Sequence, residues 1–487
     1  MKIAFISSEA VPYVKTGGLA DVAGALPKAL EKLGCEVKVY IPKYSNIDEN
    51  KFNLKYRQDV GEILINIADE IRIVKLFQSK LPESNVIAVF IDCPYYFNRD
   101  SVYTNDKDED ERFILFCKGV LEAMRMDKWA PDIIHCNDWQ TGLIPLYIKD
   151  NYKWDILFSK TKSLFSVHNI GYQGRFAKSS VVKAGLNEKY YFREGPVELE
   201  NTFSFLKTGL WFADIITTVS ETYSKEILTR EYGAGLENVL LLRRESLYGI
   251  LNGVDYTAWN PSKDIYLPFH YSIDDLSGKL KNKKYLLNHV NLKFDEQVPL
   301  IGLVSRLTGQ KGINIYTEAL PDLIKLKAQW IIIGTGEYKY EEMVRSWAKK
   351  FPDKVAAFIG FNNELSHLVE AGADMFLMPS YYEPCGLTQI YSLKYGTVPI
   401  VRKTGGLADT IQDWDELSYQ GFDSGNGFSF YDFSPYALFS SVKRGIDTFP
   451  HKITWKKIQF NGMGIDFSWD KSAQKYVQLY KKLGNNG

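Results

Sequence analysis

Short runs of hydrophobic residues alternate along the chain with segments whose apolar positions recur every three to four residues. The runs end in polar or glycine-containing loops, as buried parallel strands do, and the intervening segments have helical periodicity. This alternation predicts two successive series of α/β units. The predicted strands are 2–8, 36–41, 86–92, 132–136, 163–167 and 214–219 in the first series, and 300–304, 330–333, 355–359, 375–378 and 398–401 in the second.

The segment Ile250–Ser262 is rich in turn-forming residues and separates the two series. Before it, Ser220 precedes a helical segment and is expected to cap that helix. After it, the run KLKNKK at 279–284 is interpreted as a solvated helix face rather than a binding patch. The fold class is therefore α/β, with two doubly wound domains. In such sheets ligands bind beyond the carboxyl ends of the strands, so the loops there are where we expect the chemistry.

Composition narrows the class of protein. The chain has 487 residues, 45% hydrophobic and 24% charged, with 59 basic and 59 acidic side chains. These values suit a globular protein with a sizeable core, and the balanced charge provides no net field to recruit nucleic acid or an anionic membrane. Five scattered cysteines and a short apolar stretch after Lys2 indicate neither a disulfide framework nor a secretory signal. We therefore expect a cytoplasmic protein.

The heptapeptide KTGGLAD occurs twice, at 15–21 and at 403–409, each time between a predicted strand and a predicted helix. Its two glycines permit a close approach of backbone to a ligand, and the following helix offers amides to an anion. In the first copy, Lys15 adds a positive charge, Gly17 and Gly18 lie in the loop, and the helix is predicted to begin near Ala20. Two facing glycine loops, one from each domain, are expected to approach a ligand from both sides. A plain turn is the alternative.

Two loops of the second series are suited to binding a phosphate. Arg306 and Lys311 follow the strand 300–304 in a glycine-containing loop and can clamp a diphosphate, although two solvated cations are the alternative. After the strand 375–378, Pro384 and Gly386 bend the chain, so that Glu383 lies at the mouth of the sheet and amides up to residue 388 face a phosphate. Cys385 in this loop lacks a partner at a defined spacing, and a small packed thiol is expected.

In the first series, His135 and His168 lie at strand ends, followed by Asp138 and Asn169 respectively. A lone histidine is more often a hydrogen-bonded packing residue than a ligand. Metal-binding spacing such as H-E-x-x-H is absent, and His135 with Asp138 is not a complete ligand set. No metal site is predicted.

Together these motifs resemble bacterial glycogen synthase and plant starch synthase. They are long, they occur in the order of that family, and the resemblance covers the chain from residue 1 to about residue 480. They are VKTGGLADV at 14–22, HCNDWQ at 135–140, VHNIGYQG at 167–174, SRLTGQKG at 305–312 and EPCGLTQIY at 383–391.

The resemblance implies a GT-B glycosyltransferase with two Rossmann-like domains that face each other across a cleft. The domain expected to bind the acceptor is 1–253, the nucleotide-sugar domain is 254–467, and 468–487 forms a helix that crosses back to the first domain. The implied activity is retaining transfer of glucose from ADP-glucose to the non-reducing 4-hydroxyl of an α-1,4-glucan, without metal or cofactor. The implied partners are that donor and acceptor, and the oligomeric state stays open.

The resemblance also implies roles for individual residues. Lys15 and Gly18 contact the donor phosphate or sugar, Arg306 and Lys311 hold the diphosphate, and Glu383 binds the glucose hydroxyls. Phe361 stacks on adenine without the hydroxyl of the tyrosine that relatives often have there. Tyr391 stands where many retaining GT-B enzymes have a second glutamate, so that role is not supported. The other implied binding residues are Asp138, His168, Asn252, Cys385, Gly386, Leu387 and Thr388.

Two alternative functions stay open at this point. Another GT-B enzyme, of the sucrose synthase or phosphorylase type, has the same fold, and a non-catalytic glucan-binding paralogue has similar motifs. The sequence also leaves open the preference for ADP- or UDP-glucose. Retention through front-face attack and through a short-lived covalent intermediate are both compatible with these residues.

Overall fold

The computed structural model describes residues 1–485, which form two compact units. Unit 1 comprises Met1–Gly253 and the C-terminal segment from Trp469, and unit 2 comprises Val254–Ser468. Each unit contains a largely parallel sheet whose strand order reverses once. The two doubly wound domains predicted from the sequence are confirmed. Among these residues no helix is both long and apolar enough to cross a membrane.

Unit 1 contains a ten-stranded mixed sheet and a separate three-stranded antiparallel sheet. Its strands are β1 (Lys2–Ile6), β2 (Glu36–Pro42), β3 (Lys55–Tyr56), β4 (Glu62–Ile67), β5 (Glu70–Lys80), β6 (Ile87–Asp92), β7 (Ile133–Asn137), β8 (Lys162–Val167), β9 (Arg175–Phe176), β10 (Glu198–Leu199), β11 (Thr202–Ser204), β12 (Ile215–Thr218) and β13 (Leu247–Gly249). Its helices before the last are α1 (Gly18–Lys32), α2 (Pro94–Phe97), α3 (Glu109–Met126), α4 (Ile144–Lys149), α5 (Ser179–Lys183), α6 (Phe205–Phe212), α7 (Glu221–Glu226) and α8 (Glu237–Leu242).

Unit 2 contains a six-stranded parallel sheet. Its strands are β14 (Leu300–Val304), β15 (Gln329–Gly334), β16 (Val355–Ile359), β17 (Met375–Met378), β18 (Val398–Arg402) and β19 (Phe428–Phe430). Its helices are α9 (Ser277–His289), α10 (Ile313–Leu323), α11 (Tyr338–Lys350), α12 (Asn363–Gly372), α13 (Thr388–Lys394), α14 (Gly405–Thr410), α15 (Trp414–Tyr419), α16 (Pro435–Thr448) and α17 (Lys452–Met463). Short 3-10 turns lie at Trp139–Thr141, Ile156–Phe158, Glu188–Tyr190, Arg244–Ser246 and Gly309–Lys311.

The point where the strand order reverses decides where each sheet presents its loops. The large sheet of unit 1 runs β13-β12-β8-β7-β1-β2-β6-β5-β3, with β4 paired to β5, so the chain reverses direction between β1 and β7. The sheet of unit 2 runs β16-β15-β14-β17-β18-β19 and reverses between β14 and β17. Loops that leave these neighbouring strands diverge and leave a crevice, which is where ligands bind in doubly wound sheets.

The buried strands explain the continuous apolar runs in the sequence. Along β15, Trp330 and Ile332 pack in one hydrophobic core while Ile331 and Ile333 pack in another, so both faces of the strand are buried.

The start of α7 is determined by a side chain that caps the helix. The hydroxyl of Ser220 accepts a hydrogen bond from the Tyr223 amide, which confirms the predicted cap of α7, a contact worth about 1 kcal/mol.

The last helix, α18 (Trp469–Asn485), belongs to unit 1 and packs on its sheet. The hydroxyl of Tyr480 lies 2.7 Å from Nδ1 of His135. The hydroxyl of Ser472 donates a hydrogen bond of 2.6 Å to the carbonyl of Leu251. Nε2 of His135 is 2.7 Å from the hydroxyl of Ser166 on β8. Both ring nitrogens of this fully buried histidine are therefore used for packing, the more common role of a lone histidine.

The interpretation of 279–284 as a solvated helix face is wrong for two of its lysines. Lys279 and Lys283 are buried on α9. The ammonium of Lys279 donates to the hydroxyl of Thr397, and that of Lys283 lies 2.7 Å from the carboxylate of Asp374. A buried ammonium is stable only with such partners, and these come from distant parts of the chain.

Candidate functional site

In unit 2, the cation and the carboxylate singled out from the sequence form an ion pair at the reversal between β14 and β17. Nζ of Lys311 lies 2.5 Å from Oε2 of Glu383, and the hydroxyl of Ser380 donates to the same oxygen at 3.0 Å. Glu383 is 6% exposed. The sequence placed the two residues on separate loops with separate tasks, whereas the structure makes them direct partners.

Two glycines allow these loops to come together. Gly312 has a φ of 73° and caps α10, and a Cβ there would stand 1.9 Å from the carbonyl oxygen of Pro379. Gly334 has a φ of 156°, and its Cβ would stand 1.8 Å from the carbonyl oxygen of Ser305. A side chain at Gly312 would push the loops after β14 and β17 apart, and one at Gly334 would push the ends of β14 and β15 apart. Glycine at position 312 is therefore required for the contact between Lys311 and its carboxylate.

The remaining predicted residues of unit 2 lie in the loops that follow β14, β16 and β17. Arg306 is exposed and donates to the side-chain oxygen of Gln310 at 3.1 Å. Phe361 follows β16 and is 85% exposed, which leaves its ring open for stacking. The loop itself continues with Cys385, which is buried, Gly386, which has a φ of 67°, and Leu387 and Thr388, which begin α13.

The second KTGGLAD copy does not present its glycines as an open loop, contrary to expectation. The amide of Gly406 donates to the carbonyls of Glu383 at 3.1 Å and Pro384 at 3.2 Å. A Cβ on Gly405 would stand 2.0 Å from the carbonyl oxygen of Glu383, and one on Gly406 would stand 1.9 Å from that of Cys385. This copy therefore supports the Glu383 loop from behind, and its small residues are needed for backbone-to-backbone packing.

Tyr391, for which the sequence supports no second-carboxylate role, takes part in a stack of three rings. Trp259 lies between Tyr391, at 3.9 Å and 3°, and His367, at 3.6 Å and 11°. Asp264 accepts a hydrogen bond from Nδ1 of His367 at 2.7 Å. The stack attaches α13, which follows the Glu383 loop, to the segment after residue 254. Sequence analysis did not identify Trp259, because nothing local marks its two partners.

In unit 1, Asp138 is half-buried and has a strained backbone conformation. Its φ of 56° and ψ of −179° are a combination that is nearly restricted to glycine, at a cost of about 1–3 kcal/mol for another residue. Its Oδ1 accepts the amide of His168 at 2.7 Å. Burial raises the pKa of Asp138 to about 7, since it outweighs the backbone N–H groups of His168 and Asn169 that lower it. Strain of this kind is typical of functional positions.

His168 is held in one tautomer by its neighbour Asn137. The amide nitrogen of Asn137 donates to the carbonyl of Ile6 at 2.9 Å, so its oxygen faces Nε2 of His168, also at 2.9 Å. Because burial lowers the pKa of His168 to about 4, the ring is neutral at pH 7. A neutral ring that donates from Nε2 has an acceptor at Nδ1. His168 can therefore accept a hydrogen bond from a ligand hydroxyl.

The first glycine loop connects β1 with α1, and two backbone amides that precede the helix bind a carboxylate of the chain. Lys15 is half-exposed and pairs with Asp21 at 2.7 Å, and Gly18 is the first residue of α1. The amides of Thr16 and Gly17 donate to the carboxylate of Glu9, at 2.5 and 3.2 Å. Sequence analysis missed Glu9, because a single glutamate after a strand carries no distinctive spacing.

The last predicted residue of unit 1, Asn252, is 6% exposed, and its buried Oδ1 has no hydrogen-bond partner within residues 1–485.

A cavity of about 500 Å³ lies beside the loop that carries Asp138, and its wall includes Trp139, Tyr172 and Arg175. In the part of the chain that the structure describes, no three His, Cys, Asp or Glu residues cluster as metal ligands would.

Comparison with known proteins identifies the family. The profile of the starch synthase catalytic domain matches residues 2–241, and that of glycosyl transferases group 1 matches residues 287–442. A glycogen synthase from Thermosipho africanus is 43% identical over 488 aligned positions, which cover 100% of this chain and 99% of the relative. The chain belongs to the glycogen and starch synthase family. A glycogen synthase from Geotalea daltonii is 42% identical, with coverage of 99% and 98%.

Solved structures of this and related families agree in fold. The catalytic domain of starch synthase IV from Arabidopsis thaliana, bound to ADP and acarbose, superposes with a TM-score of 0.91 at 30% identity, covering 99% of both chains. Sucrose-phosphate synthase from Thermosynechococcus elongatus has a TM-score of 0.61 at 17% identity, with coverage of 100% of both chains, which supports the fold alone. The chain therefore has the GT-B fold of these glycosyltransferases, with two Rossmann-like domains.

Proposed function

We propose that this member of the family transfers glucose from ADP-glucose to the non-reducing 4-hydroxyl of an α-1,4-glucan, with retention of configuration. Relatives named glycogen synthase that align over the whole chain support glucan elongation, and the ADP in the starch synthase IV structure supports an adenosine donor. The observation that carries the proposal is the Lys311–Glu383 pair at the reversal of strand order in unit 2. In this pair Lys311 supplies a cation that can bind phosphate, and Glu383 supplies a carboxylate that can stabilise the positive charge developing on the sugar.

In this proposal unit 2 is the nucleotide-sugar domain. The exposed ring of Phe361 stacks on adenine, and Arg306 and Lys311 hold the diphosphate, with Leu387 and Thr388 contributing backbone amides. The first N–H groups of a helix lack partners within the helix and suit an anion. As the bond between glucose and phosphate breaks, negative charge grows on the leaving group, and cations placed there in advance stabilise the transition state. A divalent metal is not required for this step.

The carboxylate of Glu383 is proposed to contact the glucose of the donor. Breaking the glycosidic bond gives the sugar oxocarbenium character, which a nearby negative charge favours. Lys311 neutralises that charge through the ion pair, so donor binding is expected to draw the ammonium toward phosphate and leave the carboxylate for the sugar. Front-face displacement and a short-lived covalent intermediate both use the carboxylate in this way.

Unit 1 is proposed to bind the glucose of the donor and the glucan acceptor. His168 presents an acceptor nitrogen to a glucose hydroxyl, Asp138 and Asn252 complete the polar lining, and Lys15 and Gly18 contact the donor. The cavity beside Trp139 and Tyr172 is proposed to receive the glucan, because aromatic faces stack on sugar rings and Tyr172 is 53% exposed.

Incubation with nucleotide sugars tests the proposal. The protein is incubated with ADP-glucose or UDP-glucose, each with and without glycogen, and nucleotide release and glucose incorporation are measured together. We expect glycogen-dependent release from ADP-glucose. Nucleotide release without incorporation would indicate a hydrolase, and no release from either donor would indicate a non-catalytic glucan-binding protein.

A further inference from the structure

Glu9 lies after β1 as a buried carboxylate surrounded by donors from the first glycine loop. It is 3% exposed, and it accepts hydrogen bonds from the amide of Thr16 at 2.5 Å, the Thr16 hydroxyl at 2.9 Å and the amide of Gly17 at 3.2 Å. A fourth donor, the hydroxyl of Tyr103, lies at 3.0 Å. Two successive backbone N–H groups that converge on one anion form the arrangement in which proteins bind phosphate. Here the anion belongs to the chain.

The anchor of this carboxylate is rigid, whereas the loop that it holds is exposed. The hydroxyl of Ser7 donates to the carbonyl of Glu9 at 2.7 Å, and the hydroxyl of Tyr44 donates to the carbonyl of Ser8 at 2.9 Å. By contrast, Thr16 is exposed and the side chain of Lys15 is 52% exposed. Gly17, the N-cap of α1, has no side chain with which to cap the helix. The conformation of Lys15–Gly17 therefore depends on the Glu9 carboxylate.

We propose that Glu9 is a positioning residue, which fills the anion-binding backbone of the first glycine loop with the protein's own carboxylate and thereby fixes Lys15 for the donor. The inference rests on the proposed function, in which Lys15 contacts ADP-glucose. In this arrangement the amides of Thr16 and Gly17 bind Glu9 and are not available to a ligand. The Lys15 side chain and the backbone from Gly18 onward are the parts of the loop that contact the donor.

The test uses Glu9→Ala in the full chain, with formate added at constant ionic strength. We expect kcat with ADP-glucose and glycogen to fall about 10- to 100-fold, since a displacement of about 1 Å in a positioning group has effects of that size. The dissociation constant of ADP should change by a smaller factor than kcat, because the diphosphate contacts assigned to Arg306 and Lys311 do not involve Glu9. Formate should restore turnover by occupying the same amides, and chloride should not.

Glu198 provides a matched control within the same unit. It is 5% exposed, and its carboxylate also accepts two backbone amides, from Glu194 and Asn201, both at 2.5 Å. Glu198→Ala should lower stability without any formate-dependent gain in turnover. Rescue of both variants would show a general effect of formate and would overturn the proposal, as would wild-type kcat in Glu9→Ala.

A second variant, Glu9→Gln, covers the case in which Glu9→Ala does not fold. It keeps the size of the side chain but removes the negative charge and replaces one acceptor oxygen with an amide NH2 group, so turnover should fall while the melting temperature stays near that of wild type. Wild-type turnover in Glu9→Gln would overturn the proposal. If the unaltered protein incorporates no glucose, the proposed function fails instead, so the two failures are distinguishable.

Discussion

Replacement of Glu383 by glutamine separates the chemistry of the site from donor binding. Glutamine keeps the shape of the side chain and can still accept a hydrogen bond from Lys311, but it removes the negative charge that lies 2.5 Å from the ammonium. We expect kcat to fall by about 10²-fold or more, or about 2.7 kcal/mol, because the charge acts mainly on the transition state. ADP affinity should be unchanged or modestly higher, because the ammonium is released for phosphate.

The opposite change, Lys311→Ala, should weaken both ADP binding and turnover. A lost charge-assisted contact is worth about 1.5–3 kcal/mol, or about 10- to 150-fold. In addition, Glu383 would keep the hydrogen bond from the Ser380 hydroxyl but lose the cation that neutralises its buried charge, which destabilises the variant. The assay is titration calorimetry with ADP together with steady-state kinetics on both variants.

The double variant provides the decisive comparison. Because the two side chains are in direct contact, their effects on kcat/KM should not add, and the double variant should lose less than the sum of the single losses by more than about 0.5 kcal/mol. Additive losses would show that the ion pair has no role in the working enzyme. If Glu383→Gln abolished ADP binding while Lys311→Ala spared it, the two roles would be assigned the wrong way round.

Three further outcomes are expected. Asp138→Gly should relieve strain and raise stability by about 1–3 kcal/mol while lowering turnover. The contribution of Asp138 to stability should fall as pH rises from about 4 through about 7, because its folded pKa lies above its unfolded value, and thermal melts across pH should show that this fall is absent from the variant. Gly406→Ala should lower kcat about 10-fold or more by displacing the Glu383 loop, whereas Gly484→Ala, with nothing within 4 Å of the added Cβ, should not. EDTA should leave the incorporation assay largely unchanged, and a loss that Mg²⁺ or Mn²⁺ restores would contradict the metal-free account.

The pattern of apolar runs was sufficient to predict the parallel strands, because a strand buried on both faces is apolar throughout, as β15 is. It did not predict the antiparallel hairpin of β4 and β5, whose outward face carries Leu64 and Ile73 as a cross-strand pair. Nor did it predict the strands β9–β11, which are two or three residues long and too short to show a period. Pairing with distant strands determines these elements.

The site residues lie where strand-end loops were expected, but their partners could not be read from the chain. The contact of Lys311 with Glu383 follows from β14 and β17 being neighbours, although 72 positions separate the two residues. The repeated KTGGLAD string was misleading, because the same glycines bend around Glu9 in one copy and pack behind the Glu383 loop in the other. Identical local sequence acquires different roles from its surroundings.

The most direct test of the central claim is the fate of the glucose. The protein is incubated with ADP-glucose labelled in the glucose and with glycogen, ADP release is counted against label incorporated, and the product is digested with β-amylase, which removes maltose from non-reducing ends. We predict one ADP per glucose and label released as maltose, as α-1,4 elongation requires. Label that stays free in solution, or polymer-bound label that β-amylase does not release, would contradict the account.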